Sequence, residues 1–209
     1  MVLSTLGRFS PVALRRAAWV LCSVPLALLI SRALTESLGA NPVETLEREL
    51  GIWALIFLMC SLSVTPLRVA TGRTELAPLR RTLGLAGFWY AALHVVVYAV
   101  LDRVLLWSEV LLDLTKRPYV MLGAVAFTAL LVLAVTSPKA VVRRLGGARW
   151  KRVHLLAYCA APLAATHFLW LKLDKNLWER PALYGAGVLV ILAARWVIKA
   201  PVRAPAGPR

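Results

Sequence analysis

TLGLAGFWYAALHVVVYAVL, residues 82–101, decides the fold. It contains no acid, lysine or arginine, and its apolar residues run on without alternating. A helix rises 1.5 Å per residue, so about 20 such residues cross a hydrocarbon layer of roughly 30 Å. A barrel strand would alternate apolar and polar side chains, which this stretch does not. Outward from it, runs of the same character occupy residues 12–33, 51–67, 118–136, 153–171 and 182–198. The reading is an all-α membrane protein, a bundle of six transmembrane helices in one domain over residues 1–200. The Pro-rich end, residues 201–209, reads as a disordered tail.

Composition agrees. The 209 residues are 60% hydrophobic and 17% charged, with a mean hydropathy of +0.71. Soluble chains carry about a quarter charged residues. Arg8, Arg15 and Arg16 ahead of the first run resemble a signal peptide. That apolar run is long and five more follow, so it reads as an uncleaved first helix. Before the second run, Asn41, Pro42 and Glu44 form a helix start: a capping side chain, a proline in the first turn and an acid at the positive end of the dipole. Residues 104–114, with Glu109 and Asp113 four apart, read as a short helix lying in the interface.

The net charge of +15 is distributed between the runs. Counting alternate loops puts 17 of the 25 Lys/Arg on one side and 8 on the other, and of the ten acids only Glu75 shares the basic side. The Lys/Arg bias places both termini and the loop KAVVRRLGGARWKR in the cytoplasm. Basic residues arranged this way serve orientation and argue against nucleic acid as a partner. Cys22, Cys60 and Cys159 lie inside apolar runs without paired spacing, so neither a disulfide framework nor a zinc site is expected.

His94, His154 and His167 are the whole histidine content, all in the third and fifth runs. Ionisable groups inside a membrane are costly and need a reason. An isolated histidine is ordinarily explained by a hydrogen bond to a neighbouring helix. The depths add something further. Both runs cross in the same direction, and His94 and His167 sit about 18 and 21 Å into them. Two imidazoles at one level on two helices can ligate one haem iron from opposite faces, a bis-histidine arrangement suited to outer-sphere electron transfer. Gly84, Gly87 and Ala91, and Ala160, Ala161, Ala164 and Ala165, can leave room for a flat macrocycle or simply allow close helix packing.

His154 lies about 20 Å from His167 along the fifth helix, towards the cytoplasmic surface, and is turned roughly 140° from it on an ideal helix. A second haem with an unnamed partner ligand, another cofactor and a plain interfacial position all remain open for it. That axial distance forbids one copper or zinc ion shared by all three histidines. Met59 and Met121 read as packing. The runs carry no Asp/Glu relay of the kind a proton-coupled transporter needs.

Several stretches between Gly39 and Trp170 together resemble a known family, GANPVETLERELGIWAL, SVTPLR, LRRTLGLAGFWYAALHVVVY, TKRPYVMLG and WKRVHLLAYCAAPLAATHFLW, and the resemblance covers most of the chain to about Trp196. They are similar to the haem-binding membrane subunit of the bacterial periplasmic methionine sulfoxide reductase system, the MsrQ (YedZ) family, within the ferric-reductase-like group of transmembrane haem domains. The resemblance implies haem b, an FMN, and electrons taken from membrane quinones or a cytoplasmic flavin reductase. It implies delivery to a periplasmic molybdopterin subunit (MsrP-like) that repairs oxidised methionine, from the bacterial inner membrane. His94, His154 and His167 match the histidines of that family's pattern. Ferric reductases carry two histidines on each of two helices, whereas the third run here has one, so the count of haems stays open between one and two.

The expectation is therefore a non-catalytic electron-transfer subunit. His94 and His167 would be the iron ligands, His154 would serve the inner side, and Arg103, Lys116, Arg117 or Lys172 would be within reach of haem propionates. The alternatives are a free-standing quinol-dependent metal or superoxide reductase and a non-redox helix bundle.

Overall fold

The computed structural model describes residues 10–173 and 175–198; the tail expected at 201–209 lies outside the described residues. Among the described residues the secondary structure is helical, with no strand. The long helices are α1 (Pro11–Leu34), α2 (Pro42–Thr71), α3 (Ala77–Val97), α5 (Pro118–Val135), α8 (Ala157–Leu173) and α9 (Glu179–Val197). The short ones are α4 (Trp107–Lys116), α6 (Lys139–Leu145) and α7 (Gly147–Val153). With their adjoining turns, six helices are long and apolar enough to cross a membrane. The chain is a multi-pass membrane protein.

Local chemistry sets the ends. The Asn41 side chain accepts the Glu44 N–H at 3.1 Å, Pro42 opens α2, and Gly72 closes it in the left-handed conformation with φ 68°. The helix start read from Asn41, Pro42 and Glu44 is thus present, but α2 begins nine residues before the run at 51–67. Apolar content locates the membrane-embedded part of a helix, whereas the cap locates its end.

α2 is the most buried of the six, with half of its most apolar window enclosed. One cluster joins Leu50, Ala54 and Phe57 to Cys22 and Leu29 of α1 and to Ala86 and Tyr90 of α3. The other joins Leu55, Leu58 and Leu62 to Leu130 of α5, Ala160, Ala161 and Ala165 of α8 and Val188 of α9. Small residues let the backbones close up. A Cβ on Gly87 would stand 3.2 Å from the Ala54 carbonyl oxygen, and Ala160 and Ala161 are fully enclosed. Large apolar side chains such as Leu21, Leu183, Val190 and Trp196 face outwards, the arrangement expected where lipid is the solvent.

Tyr90 pins α1 to this core. Pro25 supplies no N–H to the helix ladder. Immediately after it the Tyr90 hydroxyl accepts the Leu26 N–H at 2.9 Å and donates to the Cys22 carbonyl at 2.7 Å. At the other end of the bundle the Trp150 indole donates to the Thr136 carbonyl at 3.1 Å, tying α7 to the last turn of α5.

α3 ends in a π turn (Tyr98–Asp102), followed by Val104 and Leu105 at φ 49° and 58°. Left-handed backbone is strained for a β-branched residue such as Val104. It reverses the chain so that α4 starts at Trp107, three residues later than the interfacial segment read from 104–114. Val104, Leu105, Leu106, Trp107 and Leu111 are exposed, as an interfacial helix requires.

Tyr90→Phe keeps the ring but strands a buried N–H and a carbonyl, at a cost of about 1–3 kcal/mol. A lower Tm in detergent is expected, and an unchanged one would show that the hydroxyl contributes nothing to docking of α1.

Candidate functional site

His94 on α3 and His167 on α8 meet. Their ring centres are 6.4 Å apart with the planes crossed at 77°. Each ring is oriented by a main-chain carbonyl on a neighbouring helix: His94 Nδ1 lies 2.8 Å from the Glu47 oxygen of α2, and His167 Nδ1 2.6 Å from the Tyr119 oxygen of α5. A carbonyl can only accept, so both rings carry their proton on Nδ1. Nε2 is then the free acceptor in each. Two imidazoles in this tautomer, unpaired with any carboxylate, have the chemistry to ligate one metal centre.

The two rings line one cavity of about 660 Å³. Its middle is apolar, walled by Leu55, Leu58, Ala91, Phe127, Leu130, Ala164 and Phe168. At the loop end it meets Arg48, Arg103, Arg117, Lys172 and Lys175, with Glu44, Glu47 and Asp102 among them. Apolar walls with a few polar groups at one end are what cofactor sites share.

An ion-pair network closes that end. Buried Asp113 of α4 takes Arg103 Nη2 at 2.7 Å, Arg117 Nε at 3.1 Å and the Tyr98 hydroxyl at 2.8 Å. Arg103 Nε lies 3.2 Å from Asp102 yet points at no acceptor. Burial works against the Arg103 charge, but the Tyr98 hydroxyl, Asp102 and Asp113 outweigh it and raise the guanidinium pKa above its ordinary value. Across the opening Lys172 reaches Glu44 at 3.9 Å.

His154 is elsewhere. It begins a 3-10 turn (His154–Leu156) between α7 and α8, which breaks the continuous helix assumed in turning it from His167. Its Nδ1 lies 3.2 Å from the Trp150 oxygen, and its ring lies against Trp150 with centres 4.0 Å apart and planes tilted by 32°. Arg80 is near enough to act on it electrostatically.

Some residues singled out from the sequence take other places. Lys116 does not line the cavity, while Arg103, Arg117 and Lys172 do. Gly84, Gly87, Ala160 and Ala161 pack helices together, and of the small residues near the histidines Ala91 and Ala164 face the cavity. Met59 packs in the core and Met121 faces outwards. Among the described residues no three His, Cys, Asp or Glu converge on a metal position. Arg48, Lys175 and the two carbonyls went unrecognised in the sequence. The carbonyls have no sequence signal of their own, being present at every residue.

The family model described as ferric reductase like transmembrane component matches residues 50–165, a segment holding His94 and His154 and ending just before His167. A protein of Ralstonia nicotianae is 41% identical over 187 residues, covering 88% of this chain and 86% of its own. One of Herminiimonas arsenicoxydans is 41% identical over 172 residues, 82% of this chain and 79% of the relative. One of Caulobacter vibrioides is 39% identical over 178 residues, 85% and 83% of the two chains. Each of these relatives is named as the protein-methionine-sulfoxide reductase heme-binding subunit MsrQ. The chain belongs to the MsrQ family. The sequence resemblance is thereby confirmed at the level of the family.

Asp113→Ala would leave Arg103 and Arg117 facing each other without their shared carboxylate. Removing one partner of a buried pair costs about 3–5 kcal/mol. The expected result is a lower Tm and faster proteolysis between α3 and α5; Asp113→Asn should fall between the variant and wild type.

Proposed function

We propose that the protein is a membrane electron carrier in which His94 and His167 hold one b-type haem iron from opposite faces. The spacing of the two rings supports this reading most. A metal–imidazole bond of about 2.0 Å, plus about 1.2 Å to the ring centre, sets two rings across one iron about 6.4 Å apart. The ring centres in this protein are 6.4 Å apart. The apolar walls fit a porphyrin plane. The cations Arg103, Arg117, Lys172 and Lys175 suit its propionates, and the buried Arg103 Nε–H has no acceptor of its own. The buried Glu47 Oε1, also without a partner, opposes an anion on its side of the cavity. The relatives' names, which specify a heme-binding subunit, add to the reading.

A haem held by both His94 and His167 would supply one-electron transfer without oxygen activation. The protein's own part is to keep Nε2 of each histidine deprotonated, exclude water from the iron axis and neutralise the charged edge. Electrons would leave through the loop end of the cavity, where α4 and the segments at 35–41 and 175–180 would offer a docking face to a periplasmic methionine sulfoxide reductase. They would enter at the basic end, near His154, from quinol or a flavin reductase. The reading places the protein in a bacterial inner membrane with both termini in the cytoplasm, following the Lys/Arg bias.

A reduced-minus-oxidised visible spectrum of the purified protein should show a low-spin b-type signal. The signal should disappear in His94→Ala and His167→Ala and partly remain in His154→Ala. Its full retention in His94→Ala would overturn the ligand assignment. For orientation, a membrane-impermeant thiol reagent on intact cells should label Leu177→Cys and leave Arg149→Cys unmodified; the reverse pattern would invert the electron path.

A further inference from the structure

The planes of the two imidazoles are crossed, and the residues responsible are on the opposing helices. A helical side chain covers the turn N-terminal to its own Cα, so residue 51 would lie over the carbonyl of residue 47, and residue 123 over that of 119. Both positions are glycine. A Cβ placed on Gly51 would stand 3.3 Å from His94 Nδ1 and 3.4 Å from Cε1. One placed on Gly123 would stand 2.9 Å from His167 Nδ1, 3.0 Å from Cε1 and 3.3 Å from Cγ. The two seats are built alike: a carbonyl, a glycine four residues later, and a histidine whose Nδ1 reaches that carbonyl from 47 residues on in one case and 48 in the other.

We propose that Gly51 and Gly123 are positioning residues that fix the rotation of the two axial imidazoles, and with it the crossing of their planes. The inference rests on the haem reading and deepens it. Each ring is attached at Cβ, directed by its Nδ1–H bond and closed in by a glycine Cα. Rotation about the line from Nε2 to the metal is thereby removed as a freedom. The acceptors belong to α2 and α5, two different helices, and the planes stand 77° apart. Crossed imidazoles each overlap a different π-symmetry d orbital of the iron, leaving those orbitals nearly equal in energy; parallel imidazoles split them. The ferric EPR spectrum reads that splitting directly, as a single large-gmax feature in the first case and a rhombic three-line spectrum in the second.

Gly123 is the tighter seat, since contacts of 2.9 and 3.0 Å require the ring to move, while 3.3 Å at Gly51 needs only a small shift. Gly185 has open space around it and Gly84 meets Ser61 at 3.2 Å, away from either ring. The test is low-temperature EPR and redox titration of purified ferric holoprotein. The wild type should give the large-gmax signal. Gly123→Ala should shift gmax downwards and move the midpoint potential, Gly51→Ala should do the same to a lesser extent, and Gly185→Ala should match wild type. Gly84→Ala should lower stability without altering the spectrum. If Gly123→Ala loses its haem, the shift in Gly51→Ala still carries the test. Unaltered spectra in both seat variants at full haem content, or a rhombic wild-type spectrum, would overturn the proposal while leaving bis-histidine ligation intact. A wild type with no low-spin haem signal, or a His94→Ala variant that keeps it, would instead sink the haem reading and this inference with it.

Discussion

A carbonyl that already belongs to a helix ladder accepts a second hydrogen bond from a histidine, and this happens twice, at Glu47 and at Tyr119. The arrangement matters because a neutral imidazole has one donor and one acceptor. Using the donor on a rigid helix leaves the acceptor defined in both identity and direction. In an apolar interior a lone acceptor is costly, by about 1–3 kcal/mol if nothing meets it. Two such acceptors, from rings 6.4 Å apart lining one cavity, form a site that a single Lewis-acidic centre would satisfy on both sides.

The remaining packing makes that pair possible. α2 carries one carbonyl and lies at the middle of the bundle, in contact with α1 and α3 through one cluster and with α5, α8 and α9 through the other. Any sliding of α2 against α3 would separate Glu47 from His94, and the close approach at Gly87 resists it. The Tyr90 hydroxyl holds α1 over the same face where Pro25 leaves the ladder incomplete. On the other side, Ala160 and Ala161 are small enough for α8 to sit deep among α2, α5 and α9. Side-chain size thus sets helix separation, and helix separation sets the distance between the rings.

Six spans were legible because lipid imposes long unbroken apolar runs, and the convergence of His94 and His167 was legible because depth along a helix is arithmetic. The seats were not. Gly84, Gly87 and the alanines are the small residues that neighbour a histidine in sequence, yet a ring in a bundle is enclosed mainly by the helix opposite. Gly51 and Gly123 stand on those opposite helices, more than 40 residues earlier in the chain. Sequence spacing reports on one helix at a time, whereas the seats depend on which helices pair. The cap at Asn41 and Pro42 was readable for the opposite reason, being built wholly from neighbours. His154 shows the same limit: its 3-10 turn lies next to the contact that α7 makes with α5 through Trp150, which no periodicity within 153–171 records.

The charges at the loop end of the cavity complete the arrangement. Five cations line that end of the cavity against three acids, and Asp113 behind them takes up Arg103 and Arg117. Removing ions from water is costly unless they are paired, so this network holds its arginines in place before any ligand arrives. Hydrogen bonding there is incomplete: Arg103 Nε, though 3.2 Å from Asp102, makes no hydrogen bond, and Lys172 meets Glu44 only at 3.9 Å. A surplus of positive charge beside an apolar slot favours a flat molecule with an anionic edge, inserted edge outwards. The same surplus would stabilise the reduced form of a centre lying between the two histidines, because added negative charge is better tolerated there. If the two histidines hold a haem as proposed, ring geometry and rim charge would be independent controls on its potential, the first set by α2 and α5 through the seats and the second by α4 through Asp113.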